Sequence, residues 1–254
     1  MIFRRIIVNA IFVGVITGCL LSLVQFVGVS PIIFAAEAYE VEEPAVGAGH
    51  HHEAGTPDHH DTEAWAPEDG GERTSYSILA NILASIGFSA VILSLMSQFQ
   101  FQLQGVSQLN LLKGGLWGLA GFIAFFVAPG IGLPPEIPGV EAAALENRQS
   151  WWLLAVIATA VGMAVLAFSP IKYKVTGVIA IALPHVIGAP HMQGPEFSHP
   201  DPIAVKALTE LHHQFIVASG VTNFIFWIVL GLSSAWVLNK RVLKELNDNV
   251  TAPT

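Results

Sequence analysis

The chain has 254 residues, of which 53% are hydrophobic and 12% are Asp, Glu, Lys or Arg, and its mean hydropathy is +0.59. Soluble domains carry about 25% charged residues, so half that share excludes an ordinary globular domain and points to lipid rather than nucleic acid as the surroundings. The single cysteine, Cys19, excludes a disulfide framework and a cysteine-only metal site, and the net charge of −8 is spread very unevenly along the chain.

Met1–Arg5 is a short basic start, followed by an apolar run from Ile6 to Ala36. A signal peptide has an apolar core of only about 7–15 residues, so this run is read as an uncleaved first span, residues 6–34. Gly14 and Gly18 within it have the small-xxx-small spacing that lets another helix approach closely. Residues 35–76 are different material. His50, His51, His52, His59 and His60 stand among many carboxylates, with Pro and Gly between them. Such a composition cannot bury a core, so a disordered outer loop rich in His and acid is expected. Imidazoles beside carboxylates suit weak, exchangeable metal capture; the plainer alternative is a solvated acidic loop.

Five further hydrophobic segments follow, Ile78–Met96, Leu112–Leu133, Trp151–Phe168, Val175–Pro190 and Phe215–Leu238. Each is near the roughly 20 residues that cross a hydrocarbon core of about 30 Å. Gly114 and Gly118 repeat the small-residue spacing, and Trp151, Trp152 and Tyr173 sit at segment ends as interfacial aromatics do. The expected fold is an all-α integral membrane protein, a six-helix polytopic bundle forming one membrane domain over residues 1–254. Six crossings place both termini on one side. With that side cytoplasmic, eight basic and two acidic residues lie inside (+6), and three basic and seventeen acidic residues lie outside (−14). This obeys the positive-inside rule. All ten histidines then fall outside or within the membrane, and an acidic outer face concentrates cations near it.

The stretch Leu183–His191 concentrates the chemistry. Pro184 and Pro190 interrupt the helical hydrogen-bond ladder and leave His185 at membrane depth with His191 at the edge. An ionisable group in a span is a functional-site hypothesis by default, and broken helices build ion sites in transporters. Neutral imidazole binds cobalt, nickel, zinc or copper. The competing reading is a kinked helix whose histidine bonds a neighbouring carbonyl. Further candidate ligands are Glu37, Glu136, His199, His212 and His213, with Glu210 on the access path. His212 and His213 are adjacent, so on a helix they point about 100° apart and do not share an ion. Arg148 is expected to pair with Glu136 or Glu37, or to be a rim charge. Gln25, Asn81, Thr222 and Asn223, polar residues within spans, read as interhelical hydrogen bonds.

Gln25, Pro31-Ile-Ile, Ala36-Glu37, Tyr39-Glu40, Gly132-Leu-Pro-Pro-Glu136, Arg148-Gln-Ser-Trp-Trp152, Leu183-Pro-His-Val-Ile-Gly-Ala-Pro190 and Asn223-Phe-Ile-Phe-Trp227 occur in that order. Together they resemble the CbtA family, proposed cobalt transporter subunits of bacteria. The resemblance covers essentially every span. It implies cobalt(II) as the transported ion, uptake across the bacterial cytoplasmic membrane for cobalamin synthesis, and a small single-span CbtB-like partner. It also implies five spans, against the six counted here. The His-rich stretch has the character of a variable insert. No cofactor is implied, and no nucleophile–base pair, HExxH or nucleotide-binding loop marks an enzyme. Two alternatives stay open: a nickel or zinc permease, and a non-conducting metal-sensing or scaffolding subunit.

Overall fold

The computed structural model describes residues 2–39, 67–103, 109–192 and 194–243. The five histidines from His50 to His60, and the loop expected around them, lie outside the described residues. The regular structure described is helical, apart from one isolated antiparallel bridge between Val140 and Phe197.

Helix α1 spans Ile2–Gly28 and the short α2 spans Ser30–Glu37. The apolar run Ile6–Ala36 is therefore two helices, broken where Pro31, lacking an amide hydrogen, enters the first turn of α2. Helix α3 runs Gly71–Leu103, and α4, Leu111–Phe122, continues through a π-helical turn at Ile123–Val127 into α5, Ala128–Gly132. Helix α6 spans Leu145–Phe168, α7 spans Lys174–Ile187, and α8 spans Pro202–Val237 before a final π-helical turn.

Several helices begin earlier than hydrophobicity alone indicated. Helix α8 starts at Pro202 rather than near Phe215, so Glu210, His212 and His213 lie on a helix and not in a loop. The signal was present in the sequence: the Asp201 side chain accepts from the Ile203 amide at 2.8 Å, and Pro202 occupies the first turn.

Among the described residues, five helices are long and apolar enough to cross a membrane, at Phe3–Gly28, Gly71–Phe99, Leu111–Gly132, Leu145–Phe168 and Pro202–Arg241. Helix α7 is not among them. Its 14 residues rise about 21 Å, short of a hydrocarbon core of about 30 Å, because Gly188, at φ +88°, ends the helix.

Glycines set the helix pairs. Gly14 and Gly18 of α1 lie on Ile86 and Ile82 of α3, and a Cβ at Gly18 would stand 2.6 Å from the Ile82 Cα. Gly114 and Gly118 of α4 face Gly231 and Trp227 of α8, while Gly162 of α6 meets Gly177 of α7. All three pairs run antiparallel. Above the α4–α8 seam, Phe88, Phe125, Phe226 and Trp227 form an aromatic core. A second cluster, of Val29, Ala36, Ile137, Phe197, Leu208 and Phe215, sits at one end of the bundle. At the opposite end the Leu109 amide donates to the Asn239 side chain at 2.9 Å.

The seams give a direct test. Gly118→Leu, whose side chain would run into the α8 backbone, is expected to lower stability by about 1–3 kcal/mol. Gly115→Ala, whose new methyl meets only Leu232 at 3.9 Å, should be neutral or stabilising by up to about 1 kcal/mol through helix propensity. Unfolding in mixed detergent micelles separates the two.

Candidate functional site

At the end of the bundle that carries the second cluster, Arg73, Arg148 and His212 each pair with a carboxylate. Arg73, in the first turns of α3, engages both carboxylate oxygens of Glu37 at the end of α2. It also reaches Asp69 at 3.2 Å, and its guanidinium lies 5.4 Å above the Phe34 ring. Arg148, in the first turn of α6, pairs with Glu136 in the segment after α5. Of the two partners the sequence offered it, Glu136 is therefore the one bonded. Glu37 goes instead to Arg73, 36 residues away, a pairing that no local spacing signals.

The third pair has the most chemistry. The His212 imidazole, on α8, contacts the Glu196 carboxylate through Nδ1 and the Pro135 carbonyl through Nε2 at 2.9 Å. A carbonyl oxygen only accepts, so Nε2 carries a hydrogen. Nδ1 stands directly against the Glu196 carboxylate. The His212 side chain is 8% exposed and the Glu196 side chain 49%, so water reaches the carboxylate and not the ring. Phe197 stands edge-on to the imidazole, at 6.1 Å between centroids. The Glu141 amide donates to the Glu196 carbonyl at 3.0 Å, which, with the Val140–Phe197 bridge, ties the segment after α5 to the segment before α8.

The arrangement has a chemical consequence. An imidazole whose Nε2–H is fixed by a carbonyl presents its Nδ1 lone pair in a set direction, as metal-bound histidines do. Beside it stands a carboxylate. Two donors of this kind suit a borderline divalent ion that must later be released.

The other candidates are dispersed. His185 is half-buried on α7, its ring edge-on to Trp151 at 5.9 Å, and the Trp151 indole N–H donates to the Pro184 carbonyl at 3.1 Å. His191 is exposed in the extended stretch beyond α7. The His199 Nδ1 accepts from the Asp201 amide at 3.0 Å. His213 points outward where His212 points inward, as their 100° offset requires. Glu210 is bonded by Gln214 at 3.2 Å. Among the described residues no three His, Cys, Asp or Glu side chains stand close enough to hold one metal ion between them. Glu196 drew no notice in the sequence, since only the folded loops bring it to His212. Gln25 and Asn81 do form an interhelical bond, with the Asn81 amide donating to Gln25 at 2.6 Å and to Ser22 at 3.1 Å. Asn223 donates within its own helix, to the Ser219 carbonyl.

Five apolar crossing helices and a charged, histidine-bearing end define a multi-pass membrane protein of the kind that handles ions. A sequence model of the family described as "probable cobalt transporter subunit (CbtA)" matches residues 3–239, nearly the whole chain, and the chain belongs to that family. No curated protein and no solved structure matches it.

The Glu136–Arg148 pair lends itself to a double-mutant cycle. With both side chains about three-quarters buried, Glu136→Gln and Arg148→Gln are expected to couple by about 1 kcal/mol. Strictly additive losses in detergent unfolding would show that the pair contributes nothing to holding the loop.

Proposed function

We propose that the chain admits cobalt(II) across the bacterial cytoplasmic membrane as one subunit of an uptake system that supplies cobalamin synthesis. The observation that carries this reading is the buried His212, fixed by a carbonyl at Nε2 and facing the half-exposed Glu196 carboxylate through Nδ1, at the acid-rich end of a cobalt transporter family member. An arriving ion would meet Glu196 first and then the Nδ1 lone pair of His212. Ion and proton compete for that one lone pair, so capture weakens as the pH falls.

The charge distribution supports placing this end outside, with both termini cytoplasmic. We take α7 with the extended stretch through Pro190 as a sixth crossing. About 21 Å of helix and about 10 Å of extended chain together approach the thickness of the hydrocarbon core. The chain contains no P-loop motif, and an inward divalent ion gains about 4.6 kcal/mol per 100 mV of membrane potential, enough for more than about a thousandfold accumulation. His185 and His191, on α7 and its tail, follow the reception pair along the path. The arginine-neutralised Glu37 and Glu136, with His199 and His213, line its approach, and His50, His51, His52, His59 and His60 gather ions ahead of it.

Imidazole and carboxylate do not by themselves separate cobalt from nickel or zinc, so the metal assignment rests on the family. One observation favours a second reading. Since no three-ligand group occurs among the described residues, a partner such as a single-span CbtB-like subunit would complete the ion path, with this chain as its scaffold.

Uptake of cobalt-57 by cells tests the first reading. Glu196→Gln, which keeps shape and loses charge, is expected to raise the half-saturating cobalt concentration at least about tenfold, since it removes a charged ligand worth roughly 1.5–3 kcal/mol. Unchanged uptake at normal protein level would sink the reading. Deleting residues 50–60 should lower uptake at limiting cobalt while leaving the maximal rate intact. Abolished uptake at saturating cobalt would instead make that segment the transport site.

A further inference from the structure

Between α3, α4 and α6 lies an apolar groove of about 540 Å3, walled by Phe88, Phe99, Trp117, Ala164 and Phe168, with Lys113 at one end. It has the form of a slot closed at depth. At the level of Ala124 the π-helical turn packs on α6. There the rings of Phe88, Phe125 and Trp227, with centroids 4.9–5.1 Å apart, seal it. From Lys113 to Ala124 the helix rises about 17 Å, close to one leaflet, half of a hydrocarbon core of about 30 Å. The groove therefore starts at a cation at the membrane edge and stops near the midplane.

A transmembrane helix does not fit this shape. It is about 10 Å across and crosses both leaflets, whereas this slot is bridged near its mouth by Phe99 and Phe168, 4.6 Å apart, and closed halfway. The mouth is electropositive: Lys172 and Lys174 follow α6 at the end where Phe168 lies, and an ammonium offers three donors. Cationic side chains at the membrane surface attract anionic lipid. We infer that the groove between α3, α4 and α6 seats one acyl chain of an anionic phospholipid, whose phosphate meets Lys113. The lipid wedges the α6–α7 hairpin against the α3–α4–α8 body, with which α6 otherwise makes few contacts on this side. This inference is independent of the ion path.

Native mass spectrometry of the full chain, released from micelles containing either phosphatidylglycerol or phosphatidylcholine, tests it. One phosphatidylglycerol per chain should be retained at concentrations where phosphatidylcholine is lost. Lys113→Gln, at a half-buried position in the first turn of α4, should weaken that retention about fivefold. Ala164→Phe should abolish it by filling the slot, while Val161→Phe, on an exposed part of α6 outside the groove, should not. Equal retention of both lipids, retention indifferent to Lys113→Gln, or a second copy of the chain in place of lipid would each overturn the assignment.

Discussion

Helix pairing in this protein depends on backbones that touch. In a bilayer the lipid is as apolar as the side chains, so burial does not drive helices together and close packing must. Three glycine seams provide it, and each leaves no room for a Cβ: Gly14 and Gly18 against α3, Gly114 and Gly118 against α8, Gly162 against Gly177. The α4–α8 seam runs beneath the aromatic core, which gives the bundle a rigid centre. Helix α7, by contrast, packs chiefly on α6. The molecule is thus a tight body with a more loosely attached hairpin, and the leaflet-deep groove lies where the two diverge.

The two ends of the bundle differ in chemistry for a physical reason. At one end each of three carboxylates has a nitrogen-bearing partner: Glu37 has Arg73, Glu136 has Arg148, and the more exposed Glu196 has His212. Burying a charge is tolerable only when it is paired. Two of these partners are guanidiniums that cannot deprotonate, so those pairs act as permanent clips. The third partner is an imidazole, whose ring nitrogens can accept as well as donate.

Much of the helix scaffold was legible in the chain. Both anticipated glycine pairs lie in seams, because their spacing belongs to a single helix face. Asp201–Pro202 marked the start of α8, although hydrophobicity placed it thirteen residues later. The break at Pro31 was equally legible in the missing amide. Hydropathy counts apolar residues and takes no account of where a helix keeps going into water, so it misplaced ends while finding the segments. His185 drew attention because an imidazole at membrane depth is unusual, yet it rests against Trp151, and the histidine with the strongest constellation is His212.

Composition, periodicity and the order of short motifs are enough to point to a membrane protein of the cobalt transporter family. These are properties of neighbouring residues and of averages, which the chain carries before it folds. Tertiary structure alone decided that His212 meets Glu196 and Pro135, positions 16 and 77 residues away. Those outcomes depend on how loops from different helices converge at one end of the bundle, and no local spacing encodes such convergence.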